Sequence, residues 1–180
     1  DSCALPNYLT AILPNLLEIN CSNRTFHSKS MRKFCRMCPR LERITWNNIK
    51  FVGWDVTPTV CGSFMHDAKN LKEIYMDDCE FFCSGFDYQK FINLDGDPHS
   101  YIFHVCNKIN VLVRLSIKNA DVIIRSDWDV PCRFEMKFCQ DILIKFVRKA
   151  PPSLKWFRSD LTQGNINMLQ SERPDIEFVA

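Results

Sequence analysis

The stretch Leu41-Glu42-Arg43-Ile44-Thr45-Trp46-Asn47-Asn48 decides the fold. Leu41 is followed at +3 and +5 by Ile44 and Trp46, and an Asn closes the phrase at +7. Apolar residues two apart mark one buried face of a short strand. The polar residue after them can bond nearby backbone groups where the chain turns away. The phrase returns as Leu16, Ile19, Cys21, Asn23, as Leu71, Ile74, Met76, Asp78, and as Leu112, Leu115, Ile117, Asn119. A degraded copy has Leu154 and Phe157 followed by Ser159 and Leu161, and a last one runs from Ile176 to Val179. A unit that recurs this way cannot bury its apolar face alone and stacks on its neighbours. Residues 16–21, 41–46, 71–76, 112–117 and 154–159 are therefore expected as neighbouring parallel strands of one sheet, with Leu41, Ile44 and Trp46 turned into the core.

Helical segments are expected between the strands. Ser30 to Cys38 places Met31, Phe34 and Cys38 on one face, with Ser28 or Ser30 as an N-cap. Asp141 to Lys149 places Ile142, Leu143, Phe146 and Val147 together, and Pro151-Pro152 stops it. Asn165 to Ser171 follows a Thr162 cap and ends before Pro174. Strands that alternate with helices and return in one direction make a parallel sheet in an α/β fold. The first-position spacings, 16→41→71→112→154→176, include two long intervals. Each holds a loop insertion or a degenerate unit, and the alternation of Arg133-Phe134-Glu135-Met136-Lys137-Phe138 suits a hidden strand.

The phrase resembles the leucine-rich repeat, LxxLxLxxN/C, from Leu16 to Val179. Cys38-Pro39-Arg40-Leu41 and Cys79, at the ninth position of its phrase, resemble the cysteine-containing class found beside F-box segments in ubiquitin-ligase adaptors. Phe34 and Phe64, each seven residues before a repeat Leu, resemble BspA-like repeats instead. The resemblance implies that residues 1–180 form a single domain of about five to seven irregular repeats. It would be a short curved solenoid with a parallel concave sheet, and helices or loops on the convex side. Such repeats mostly present their concave face to a protein partner and seldom perform chemistry. The expectation is thus a non-catalytic interaction module or scaffold that uses no cofactor. The alternative is the substrate-receptor part of a ubiquitin-ligase adaptor or, further off, a metal-binding or enzymatic domain built on the long insertions.

Composition agrees with a globular chain. Of 180 residues 46% are hydrophobic and 24% charged, and 23 Lys+Arg against 21 Asp+Glu leave +2. That charge is too small to announce nucleic acid or a membrane surface. No stretch approaches the roughly 18 consecutive apolar residues of a membrane span. Asp1 in place of a Met implies a trimmed chain. Ten Cys is a high count, but several fall inside apolar patterns where a small thiol packs well. Reduced thiols and an intracellular location are expected, against the sequons Asn20-Cys21-Ser22 and Asn23-Arg24-Thr25.

Chemistry-bearing motifs are weak. Cys35-Arg36-Met37-Cys38 is a CxxC at the end of an expected helix, the pole that does not lower a thiol pKa. Cys79, Cys83, His104 and Cys106 suit zinc by type, but their spacing follows no zinc pattern. Leu94-Asp95-Gly96-Asp97-Pro98-His99 lacks the ordered ligands of a calcium loop. No phosphate loop, dinucleotide fingerprint or GxSxG elbow can be assembled. Arg32, Lys33, Arg36 and Arg40 read as a solvated helix face rather than an RNA site.

The strand period then assigns an outer surface. With positions 1, 4 and 6 of each phrase inward, positions 3, 5 and 7 project. The rows are Glu18, Arg43, Glu73, Arg114, Trp156, then Asn20, Thr45, Tyr75, Ser116, Arg158, then Ser22, Asn47, Asp77, Lys118, Asp160. Charges alternate along the rows, so strands can neutralise one another across the sheet. Arg43, Tyr75, Arg114, Trp156 and Arg158 are of types enriched among interface hot spots. They are the expected partner-binding residues.

Overall fold

The computed structural model describes residues 14–27, 36–52, 69–84, 102–125 and 133–180. The strands are β1 (Glu18–Asn20), β2 (Thr25–His27), β3 (Arg43–Thr45), β4 (Lys50–Val52), β5 (Glu73–Tyr75) and β6 (Glu80–Ser84), followed by α1 (Ile102–Lys108). Then come β7 (Arg114–Ser116), β8 (Asp121–Arg125), β9 (Arg133–Lys137), α2 (Gln140–Lys149), β10 (Trp156–Arg158), α3 (Gln163–Glu172) and β11 (Glu177–Val179). The class is α/β.

Each phrase contributes one strand to a six-stranded parallel sheet in the order β1-β3-β5-β7-β10-β11. The five segments expected as neighbouring strands are neighbours, and the sixth phrase closes the row as β11. Register matches the phrase position by position from β1 to β10, so Ile19, Ile44, Ile74, Leu115 and Phe157 form one inward line. The sixth copy is one residue out of step, because Phe178 rather than Val179 lies opposite Phe157. Leu41, Ile44 and Trp46 are all fully buried, as are Leu71, Ile74 and Met76. Burial of such side chains stabilises by roughly 1.5–3 kcal/mol each. The sheet is open, with β1 and β11 at its edges.

After each of the first four strands the chain turns through Asn23, Asn48, Asp78 or Asn119, all at positive φ between 54° and 60°. Asn and Asp tolerate this left-handed conformation better than other residues with a Cβ. The turn leads into a second sheet, β2-β4-β6-β8-β9, which the phrase did not announce. Its first four strands are parallel. The hidden strand at 133–138 exists as β9, but it runs antiparallel to β8 on the edge of this second sheet. It is not a degenerate member of the first.

The helices cover the inner side. Phe157 on β10 meets Phe146 of α2 at 5.1 Å between ring centroids, and Phe146 meets Phe103 of α1 at 5.0 Å. Phe103 in turn meets Phe138 at 5.2 Å, and Phe138 meets Phe81 of β6 at 5.8 Å. One run of rings thus ties the first sheet, two helices and the second sheet together, each contact worth about 0.5–1.5 kcal/mol beyond its area. The helices expected at 141–149 and 165–171 appear as α2 and α3, and Thr162 Oγ1 accepts from Asn165 N at 3.4 Å as its cap. Arg173 donates to the Val147 and Ala150 carbonyls at the end of α2, where a cation also complements the helix dipole. Of the helix expected at 30–38, residues 36 and 37 are helical and Cys38 already lies beyond the helix end; 30–35 lie outside the described residues. No described helix is long and apolar enough to cross a membrane.

The core gradient is measurable. Leu115→Ala, at a fully buried central position, is expected to cost about 2–5 kcal/mol in urea unfolding. Ile19→Ala, on the half-buried edge strand, should cost clearly less, and equal losses would contradict this placement of the core.

Candidate binding face

The face turned away from the core carries the two rows at positions 3 and 5. The backbone register aligns Glu18, Arg43, Glu73, Arg114 and Trp156, and it aligns Asn20, Thr45, Tyr75, Ser116 and Arg158. The rows drawn from the sequence are therefore real neighbours. What their side chains do divides the face in two.

On the β1 side the charges are consumed within the sheet. Arg43 Nη1 donates to Glu18 Oε2 at 3.0 Å, while its Nε and Nη2 grip both oxygens of Glu73 at 2.8 and 3.2 Å. A fork of this kind is the strong form of a charge-assisted pair. Tyr75 Oη adds a bond to Glu73 Oε2 at 2.8 Å. The Arg43 hydrogen bond, helped by the Tyr75 hydroxyl, holds the Glu73 carboxyl below its usual range. Burial first, then the adjoining Glu73 carboxylate, raises the Tyr75 phenol. Arg43 is thus spent on its neighbours.

On the β10 side the arrangement changes. The Tyr75 and Trp156 rings lie 6.1 Å apart at 54°, and the Arg114 guanidinium sits over the Trp156 ring at 5.6 Å. Arg114 is exposed and Tyr75 and Trp156 are half-buried. Arg158 reaches back to Asp77, with Nη1 at 2.9 Å from Oδ2.

The third row departs from expectation. Ser22, Asn47 and Asp77 do not project as a free surface; they run along the sheet as a ladder. Ser22 Oγ accepts from Asn47 N at 3.1 Å, Asn47 Oδ1 from Asp77 N at 3.0 Å, and Asp77 Oδ1 from Lys118 N at 2.8 Å. Asp160 Oδ2 takes the Asn119 N–H at 2.8 Å. Asp77 and Ser116 are buried, because Ser116 Oγ donates to Asp77 Oδ1 at 2.6 Å and Arg158 closes over the pair. A buried carboxylate needs donors of this number, since an unpaired one would carry a large desolvation cost.

The cysteines act as packing and ladder groups. Cys79 is fully buried and its thiol donates to the Trp46 carbonyl at 2.9 Å. Burial pushes the thiols of Cys79 and Cys106 up to about 12 and that of Cys21 up to about 11. Cys38 of the CxxC is buried, while Cys35 lies outside the described residues. So do Arg32, Lys33, Phe34, Phe64, the Asp95–His99 turn, and the side chains of Cys83 and His104. Among the described residues no three His, Cys, Asp or Glu side chains are grouped to hold a metal. Cys21, Cys38, Cys79, Cys106 and Cys139 form no disulfide.

No protein-family model and no curated protein matches the chain, so its own geometry carries the functional reading.

Two measurements check this chemistry. Because the folded Glu73 carboxyl titrates below its unfolded value, its contribution is present at neutral pH and is lost as pH falls below about 4.5 through the folded value. Urea midpoints of the native chain should therefore fall on acidification more steeply than those of Glu73→Gln. In alkylation of the folded chain, exposed Cys139 should react before the buried, high-pKa Cys79 and Cys106. Peptide mapping that found Cys79 modified first would contradict its place in the ladder.

Proposed function

We propose that the chain is a leucine-rich-repeat solenoid which docks a protein partner on the outer, concave face of the six-stranded sheet and performs no chemistry of its own. Support for the repeat comes from strands that follow the phrase in order and, from β1 to β10, in register, and from the left-handed Asn or Asp that ends four of them. The observation that carries the docking site is the Tyr75–Trp156 pair with Arg114 over it. It leaves large amphipathic side chains at the surface beside β7 while the neighbouring charges are satisfied within the sheet. Trp, Tyr and Arg are the side chains on which interface energy concentrates.

Among the five candidates, Tyr75, Trp156 and Arg114 form the contact centre in this reading. Arg158 borders it and Arg43 supports it by fixing Glu73. Thiol cysteines suit a reducing, intracellular compartment. Cys79, a thiol at the ninth position bonded to a backbone carbonyl, favours the cysteine-containing repeat class. It thus keeps the ubiquitin-ligase adaptor as a second reading, which an F-box segment upstream of Asp1 in the full-length product would support.

The test is paired affinity capture from the native source with quantitative mass spectrometry, using the native chain, Trp156→Ala and Arg114→Gln. At least one protein held by the native chain should drop on both variants, by about tenfold or more for the Trp change. Circular dichroism should show both variants folded at the capture temperature. Undiminished capture would move the site off this face.

A further inference from the structure

Resting on that docking reading, we propose that the occupant is an acidic segment of the partner protein: an Asp or Glu carboxylate seats between Arg114 and Arg158, and an adjacent apolar side chain covers Tyr75 and Trp156.

The inference comes from which hydrogen-bonding capacity the face leaves over. Its central carboxylates are occupied. Glu73 accepts from Arg43 at both oxygens and from Tyr75. Asp77 accepts from Ser116, from the Lys118 backbone and from Arg158. Asp160 accepts from Asn119 N. The guanidiniums are not used up. The Arg158 side chain is 39% exposed, and its one ion pair among the described residues, through Nη1, goes to Asp77. Arg114 forms no ion pair with a described carboxylate; its guanidinium lies over the Trp156 ring and hydrogen-bonds with the Tyr75 side chain, with the Glu73 charge nearby. A guanidinium carries five N–H donors in a fixed fork, so one bond to a phenol leaves others for a planar, two-oxygen acceptor.

The two cations also lie within one acceptor's reach. β7 and β10 are adjacent and parallel, with Arg114 opposite Trp156 and Ser116 opposite Arg158. Their Cα atoms are thus offset by one strand spacing and two residues, on the order of 8 Å. Both side chains start on the same face, so a single carboxylate can bridge their ends.

Other charges fit less well. An incoming ammonium would have to displace Arg114 from the Trp156 ring and would sit beside two guanidiniums. A phosphate dianion would meet stronger repulsion from Glu73, Asp77 and Asp160 than a single carboxylate does. The aromatic pair adds a demand for apolar cover that a bare anion does not meet.

The full chain is immobilised and used to select from a display library of random peptides, in parallel with Arg114→Gln and Trp156→Ala. The native chain is expected to enrich peptides that carry Asp or Glu next to Leu, Phe or Trp. The enriched peptides, made synthetically, should bind about tenfold more weakly to Arg114→Gln, and as weakly to the native chain once their acids become amides. Failure to enrich any peptide overturns the proposal, as does equal binding to Arg114→Gln. Tighter binding after a peptide Glu is replaced by phosphoserine also overturns it, in favour of a phosphorylated segment. Peptides without acidic bias that are lost on Trp156→Ala would overturn the acidic occupant alone and leave the docking face standing. Peptides that bind both variants as well as the native chain would overturn both.

Discussion

The backbone N–H groups at the end of each strand must find acceptors as the chain leaves one sheet for the other, and most of the structure follows from how they do. A buried amide left without a partner costs about 1–3 kcal/mol, so each unit needs a provision there. The provision is a side-chain acceptor at the seventh residue of the phrase, on which the next strand's N–H closes: Ser22 for Asn47, Asn47 for Asp77, Asp77 for Lys118. The eighth residue then takes a left-handed turn, and its side chain reaches along the stack. Asn48 Nδ2 donates to Asn23 Oδ1 at 2.9 Å and Asn119 Nδ2 to Asp78 Oδ1 at 2.6 Å. Cys79 completes the corner by capping the Trp46 carbonyl. Strand spacing, register and the entry to the second sheet are all set at this edge.

Asp77 belongs to that ladder and to the outer face at once, and this dual membership shapes the surface. As a buried acid it must gather donors, and it takes Ser116 from the row that would otherwise project and draws Arg158 down from solvent. Arg43 is likewise consumed, by Glu18 and Glu73. Tyr75, Trp156 and Arg114 are the large groups left over. The distinction between a solvated row and a binding surface is therefore made by accounting for partners, and a sequence row alone cannot do that accounting.

The first sheet was legible because its signal is hydrophobic and local. Leu41, Ile44 and Trp46 must share one side of the chain whatever surrounds them, and the same holds in each copy of the phrase. The helices at 140–149 and 163–172 were legible for the same reason, with Pro151 and Thr162 as stop and start. The second sheet was missed because its strands are short and follow their turn directly, with too few residues to show alternation. A signal was present: Phe26, Phe51 and Phe81, then Val122, each fall three residues after the turn residue. At the site, the rows and hot-spot candidates were readable from the strand period. The inward pull on Asp77 and Ser116 was not, because it depends on donors that lie far from Asp77 along the chain, Ser116 at 39 positions and Arg158 at 81.

How firmly the face is held bears on what it can do. Trp156 is followed by Phe157, which points the other way and packs on Phe146 of α2. That helix is fixed to α3 by the two bonds from Arg148 to Glu172, at 2.8 and 2.7 Å, and its end is capped by Arg173. Across the face, Tyr75 is pinned by its bond to Glu73, and Glu73 by the Arg43 fork. Both aromatic rings are thus positioned from behind or beside before any partner arrives. A side chain already held in its bound position avoids a loss of about 0.5–1.5 kcal/mol of rotamer freedom on association. For the proposed docking such order lowers the cost of association, and the ladder, the Arg43 fork and the phenylalanine run supply it.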